Sequence, residues 1–376
     1  MDFDLTDEQA LLRDTVRDLL NRHYNPESRL EAIGTDLGWS RQVWNQLAEL
    51  GVLGLSFTEK DGGMEAGPVE TMLVLEEIGR RLAPEPLLDA VLVPGGLISA
   101  VGTTDQRQRI LPEVAAGSKL LAFAHGEPGT RWPDHAIDTA ATAQGEGYAL
   151  TGTKNPVPHG DCADDLVVSA TLPDGGLGLF LVAADADGVD RTSYATVDGL
   201  RGAQVVLDGA AAELLGTGGD ATNAVNEVLT RAQAGLCAES IGAMEESLRL
   251  TTDYLKTRKQ FGVTLAKFQT LTQRAANMYV SLELARSMSY YLTASLVDTG
   301  DPVIASRARL QVGRSARHIG QESIQMHGGI GVTSEYPVSH YVARLTAIER
   351  TLGSSLEHLR VLTAQVADYA QPELRA

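Results

Sequence analysis

Two short motifs in the last third of the sequence carry the residue types that hold a phosphorylated, ring-bearing ligand. The first is Arg258-Lys259-Gln260-Phe261-Gly262 and the second is Gln325-Met326-His327-Gly328-Gly329. An arginine offers a fork of donors that matches a diphosphate, and a phenylalanine offers a face to an aromatic ring. Glycines let the backbone approach a phosphate closely. Taken singly, each motif reads equally well as the end of a helix followed by a glycine stop. Their pairing tells more, because a long amphipathic segment that carries Phe268-Gln269 lies between them.

The elements that must position these residues follow from periodicity. From residue 221 onward the pattern is helical in four long segments, at about 221–257, 265–297, 302–327 and 339–369. The break at Asp298-Thr299-Gly300-Asp301 is short, so its flanking helices should run antiparallel, as in a four-helix bundle. The first 118 residues are helical as well. Thr6-x-x-Gln9 fits a capping box, Ser40 opens a helix stopped at Gly51, and Pro68 suits the first turn of another. Two more helices are predicted near 87–100 and 104–116. Between the helical blocks the chain is rich in Gly, Thr, Val and Ala, with turn pairs at Asp174-Gly175 and Asp198-Gly199. Strands are predicted near 120–125, 148–151, 166–170, 179–183 and 203–207. The fold class is therefore mainly α, with an N-terminal α-helical domain (1–118), a middle β domain (119–220) and a C-terminal four-helix bundle (221–376).

Composition narrows the function. With 31 basic and 49 acidic residues the net charge is −18, the wrong sign for a nucleic-acid partner, and no basic run offers a phosphate-tracking patch. An acidic ligand such as a CoA ester would need local basic residues. Cys162 and Cys237 lie far apart and form no metal-ligand spacing, so no metal is expected and a reducing compartment is the simple reading. The acidic start Met1-Asp2-Phe3-Asp4 predicts no signal peptide, and no apolar run has transmembrane length. A cytoplasmic location is expected.

Over essentially its full length the chain resembles the acyl-CoA dehydrogenase family. The resemblance rests on the helical–β–helical order, Glu127-Pro128-Gly129, Gly152-x-Lys154, the Arg258-x-x-Phe261-Gly262 motif, Phe268-Gln269, and Gln325-x-x-Gly328-Gly329 followed by Glu335-Tyr336-Pro337. It implies FAD in a cleft between the β domain and the bundle, an acyl-CoA substrate desaturated between its α and β carbons, and an electron-transfer flavoprotein or similar acceptor. It also implies that Arg258, Phe261, Phe268, Gln269, Gln325, Gly328 and Gly329 grip the diphosphate and adenosine half of an FAD held by a neighbouring subunit. Residues 121–128, His159-Gly160 and residues 238–245 look most like small subunits of paired bacterial dehydrogenases, such as that of pimeloyl-CoA dehydrogenase. A homologous dehydrogenase subunit in a hetero-oligomer is the implied partner.

The sequence departs from the family's pattern at the catalytic face. The two positions where the family places its base, a glutamate, are Leu352 and Ala232, and neither side chain takes a proton. A threonine near the flavin is replaced by Gly126, and a Trp-x-Thr segment reads Pro156-Val157-Pro158, removing backbone donors and a hydroxyl. Phe123 and His125 keep a ring and a polar group on the preceding strand as candidate flavin contacts. Glu239 is the candidate catalytic base. It lies seven residues beyond Ala232, about two helical turns at ~3.6 residues per turn, in an apolar stretch that should bury it. It fits a carboxylate satisfied by a core arginine as well. Trp132 and His135 stand where a substrate-facing serine is usual. Two functions stay open: a dehydrogenase subunit with its own base, and a non-catalytic partner that completes the FAD site of a homologous chain. An acyl-CoA oxidase or flavin monooxygenase on the same fold is a third, less favoured reading.

Overall fold

The computed structural model describes residues 4–130, 132, 136–145, 147–298 and 300–366; His135 lies outside them. Helix α1 (Asp7–His23) opens on the Thr6–Gln9 capping box. Helix α2 (Pro26–Ile33) was not anticipated, although Asn25 and Ser28 cap it reciprocally and proline opens it. Helices α3 (Arg41–Glu49) and α4 (Pro68–Arg81) follow the expected signals. The helix expected near 87–100 begins instead as a single π-turn, Leu88–Leu92, and continues as α5 (Val93–Val101). Helix α6 (Thr104–Ala115) completes this block.

Seven strands form the middle region: β1 (Leu121–Ala124), β2 (Ala140–Gln144), β3 (Gly147–Pro158), β4 (Asp165–Thr171), β5 (Leu177–Ala183), β6 (Val189–Ala195) and β7 (Arg201–Leu214). The order is β1-β4-β2-β3-β7-β5, with β6 on β7 and a β4–β5 pairing that closes the path on itself. Strands β2 and β6 were missed because most of their residues are exposed or half-buried, leaving little apolar alternation to read.

The C-terminal region holds α7 (Thr222–Thr257), a small hairpin of β8 (Lys259–Gln260) and β9 (Val263–Thr264), then α8 (Gln269–Asp298) and α9 (Pro302–His327). The last predicted segment is not one helix. It breaks into α10 (Val338–Arg350) and α11 (Ser355–Ala364), so among the described residues this region has five helices where four segments were expected. Leu352 and Gly353 both take left-handed backbone there, with φ of 52° and 96°, and Ser354 restarts the helix with Glu357 as its capping-box partner. Buried Arg309 of α9 pins this turn, donating to the carbonyls of Ile348 (2.8 Å), Thr351 (2.6 Å) and Gly353 (3.1 Å).

Helices α4 and α7 cross backbone against backbone. A methyl at Gly79 would overlap the Glu239 carbonyl, and one at Gly242 would overlap that of Glu76. The crossing therefore needs glycine on both helices.

Candidate active-site cleft

Two cavities meet beside α7. The larger, about 560 Å³, lies between the β strands and the C-terminal helices, and its walls include Phe123, His125, Pro156, Pro158, Leu236 and Leu352. The smaller, about 310 Å³, lies among α4, α5, α7 and α8 against Met72, Leu75, Leu92, Val228, Gly235 and Leu296. Leu88, Val93 and Ala232 line both. Each volume falls in the range of small-molecule sites, roughly 300–1,000 Å³.

A buried ion network borders the larger cavity. Arg344 of α10 donates from Nε to Glu239 Oε1 (2.6 Å) and from Nη2 to Glu239 Oε2 (2.8 Å). Its Nη1 donates to Asp198 Oδ2 (2.8 Å). Burial pulls the Arg344 guanidinium down, but these two carboxylates outweigh it and keep the group charged. Arg29 of α2 adds a bond from Nη2 to the Asp198 carbonyl (3.1 Å). Residues from three parts of the chain are thus tied at one point.

This network answers the question raised by Glu239. Its carboxylate is held at both oxygens by an arginine and lines neither cavity. A base must reach the proton it takes, and here both carboxylate oxygens are spent on a bidentate pair. Glu239, the candidate base of the sequence, is in this structure the ion-pair partner of Arg344 and has no surface on either cavity. Ala232 and Leu352 do line the larger cavity, so the positions where a base was sought face the cleft with apolar side chains.

Asp89 was missed by sequence reasoning. It stands on the π-turn, a feature frequent at functional sites, and lines the larger cavity. The signal was present: it is the lone charge among Leu87, Leu88, Ala90, Val91, Leu92 and Val93. Burial lifts its carboxyl to about 6; Arg344 opposes the shift, while Glu239 and Asp198 reinforce it. His159 Nε2 lies 3.9 Å from Asp89 Oδ2. Burial lowers His159 to about 4, leaving the ring neutral at pH 7.

Phe123 and His125 stack with ring centroids 5.0 Å apart and both face the cavity. His125 Nδ1 lies 2.9 Å from Ser169 Oγ. The neighbouring Glu127 and Lys154 explain two of the sequence motifs structurally, since Lys154 Nζ donates to Glu127 Oε1 at 2.6 Å inside the β region. Burial raises Glu127, yet bonds from Lys154, Thr139 and the Asp138 backbone hold it at about 2.

The remaining motif residues lie elsewhere. Arg258, Phe261, Gln269, Gln325, Gly328 and Gly329 are exposed, Phe268 is half-buried, and none lines either cavity. Phe261 sits at the tip of the β8–β9 hairpin with 91% of its surface accessible and φ of 53°. Its ring meets Phe268 edge-on at 6.2 Å. Tyr254, one turn before Arg258, packs 4.6 Å from the His327 ring, which brings the two motifs to the same end of the helices. His327 itself is a buried core group bonded to the Ser323 carbonyl.

For FAD, the two halves of the ligand would meet different surfaces. The exposed arginine, glutamine, rings and glycines suit a diphosphate and an adenine that reach them from outside the chain. The cleft does not suit the flavin ring. Pro156 and Pro158 present no N–H to it, Gly126 has no hydroxyl, and Leu352 and Ala232 supply no base.

Residues 6–118 match the family model for the acyl-CoA dehydrogenase N-terminal domain, and residues 220–367 match that for the acyl-CoA dehydrogenase C-terminal domain. The chain belongs to the acyl-CoA dehydrogenase family. Members are FAD-binding flavoproteins and oxidoreductases acting on CH–CH groups. Among curated relatives, acyl-CoA dehydrogenase IpdE2 of Mycolicibacterium smegmatis is 30% identical, with 96% of this chain and all of that protein covered. Acyl-CoA dehydrogenase FadE27 of Mycobacterium tuberculosis is 28% identical over 98% of this chain and 99% of its own length. Among solved structures, a variant of the Tcur3481–Tcur3483 steroid ACAD superposes with a TM-score of 0.87 at 31% identity, covering 96% of this chain and 98% of that one. The ChsE4–ChsE5 complex from Mycobacterium tuberculosis gives 0.90 at 26% identity, covering 99% and 100%. Among the described residues, no helix of this family member is long and apolar enough to cross a membrane.

Proposed function

We propose that this chain is one subunit of a hetero-oligomeric, FAD-dependent acyl-CoA dehydrogenase, and that it completes the FAD site of a homologous chain without desaturating substrate in its own cleft. One observation carries this reading: the diphosphate-type residues face outward, while the two positions where the family places its base are apolar, Ala232 and Leu352, and Gly126, Pro156 and Pro158 line the cleft. The pairing of two different chains in the ChsE4–ChsE5 relative supports it. A solved neighbour described as the electron transferring flavoprotein of Acidaminococcus fermentans is 26% identical with a TM-score of 0.89, and in this reading the pair's electron acceptor is an electron-transfer flavoprotein.

FAD, bound mainly by the partner, supplies hydride acceptance from the acyl-CoA. The work of this chain is to hold and orient. Arg258 would bind the diphosphate through its planar fork, with Gln325 and the Gly328-Gly329 backbone beside it. Phe261 and Phe268 would cover the adenine face and exclude water. Glu239 would fix Arg344, keeping α7 and α10 in register.

The test is to purify the chain alone and with its homologous partner, then measure flavin per chain and dye reduction by acyl-CoA. The expected result is little flavin on the lone chain and about one FAD per pair. Full flavin occupancy and turnover by the lone chain would overturn the proposal and favour a self-sufficient dehydrogenase.

A further inference from the structure

A cavity that flavin does not fill is still a cavity, and its polar atoms specify what it can take. The charged donor nearest Asp89 is already engaged. Arg344 spends its donors on Glu239 and Asp198, Arg201 Nε donates to Asp161 Oδ2 (2.8 Å), and Arg350 stands at the exposed rim. Two of the three carboxylates on the wall are engaged as well. Asp198 takes the Arg344 bond, and Glu357 accepts from the Ser354 backbone N–H (2.7 Å).

Asp89 is different. Among the described residues it accepts no hydrogen bond, and the His159 nitrogen at 3.9 Å is too distant for one. About 27% of its side chain is accessible although it lies deep in the protein, so the surface it exposes belongs to the cavity. Leu88, Val93, Phe123, Leu229, Leu236 and Leu352 make the surroundings apolar. An unsatisfied carboxylate facing such a wall is costly, and a donor brought by a ligand removes that cost.

We infer that this cleft binds an apolar molecule that presents a hydrogen-bond donor, a hydroxyl or an ammonium, to Asp89. The inference rests on the reading above that flavin does not occupy the cleft. The ligand's body has room in either direction, because Leu88, adjacent to Asp89, lines both cavities. Carboxylates and phosphates are disfavoured, since the groups that face Asp89 are the acids Glu239 and Asp198, the already committed Arg344, and neutral His159.

Four fluorescent probes that share one apolar body test it on the full chain: pyrenebutanol, pyrenebutylamine, pyrenebutyrate and the hydrocarbon butylpyrene. At pH 8 the alcohol or the amine should bind at least about tenfold more tightly than the hydrocarbon, as a bond to a charged acceptor implies, and the acid more weakly. Preference for the amine alone marks a cationic ligand, and its advantage should shrink from pH 8 to pH 5 as Asp89 takes a proton. Asp89→Leu should abolish the preference, whereas Asp89→Asn should keep it for the alcohol and lose it for the amine. Circular dichroism of both variants checks their fold. Binding of both the alcohol and the amine no tighter than that of the hydrocarbon, or a donor preference that survives Asp89→Leu, overturns the proposal. Flavin absorbance of the same samples reports separately on the reading beneath it, so the two fail in different ways.

Discussion

Glu239 is a buried acid and Asp89 a half-buried one beside the same arginine, and their surroundings give them opposite characters. Glu239 has both oxygens on Arg344. Glu239→Gln leaves that guanidinium with Asp198 as its remaining carboxylate, so the variant should lose roughly 3 kcal/mol of stability, seen as a lower Tm of the lone chain. A Tm equal to wild type would show that the pair contributes nothing. Asp89 has its carboxyl raised to about 6, above the ordinary value of about 3.9. Its contribution to stability is present below pH ~4 and lost as pH rises through 6, because the folded protein then holds an ionised, unsatisfied acid. Asp89→Asn should therefore melt higher than wild type at pH 8, and the gain should vanish near pH 4. A gain that stays constant across this range would exclude the titration. In the sequence, burial of Glu239 was legible, since a lone charge amid apolar residues of one helix has few other places to be. Its partner was not, because Arg344 is 105 positions away and only tertiary structure joins them.

At the scale of elements, the β8–β9 hairpin carries the clearest expectation. Phe261 is 91% accessible at its tip and packs against little of its own chain. Phe261→Ala should leave the Tm of the lone chain unchanged while the paired complex loses flavin on gel filtration. Loss of stability without loss of flavin would make the ring a structural group. The long helices were legible because their apolar periodicity is sustained over many turns and their ends carry cap residues. The turn between α10 and α11 was not, because Leu352 gives no sign of the left-handed backbone that Arg309 holds in place. Ser354 and Glu357 did signal the restart, but only a reader already expecting a break would use them. The π-turn at Asp89 was hidden for a related reason, since its residues suit a regular helix equally well.

For the whole molecule, the order helical, β, helical could be read from composition shifts, and the family-model matches at both ends agree with it. The cleft could not be read in the same way. It forms where β1, β3, the π-turn, α7 and α10 converge, and its character depends on which side chains those distant elements aim at one another. Motif residues gave the family; Pro156, Pro158, Leu352 and Ala232 gave the departure from its usual chemistry. Only tertiary structure separates the exposed motif residues from a cavity with a carboxylate of its own.

The glycine crossing of α4 and α7 bears on how such a departure is tolerated. Where Gly79 faces the backbone of Glu239 and Gly242 faces that of Glu76, the distance between the helices is set by main-chain atoms against main-chain atoms. Cleft-lining positions such as Ala232, Leu236 and Asp89 take no part in those two contacts. The frame of the family can thus outlast a change in what the cleft holds. Substitutions at Ala232, Leu236 or Asp89 rewrite the lining while the helices that carry it stay where two glycines put them.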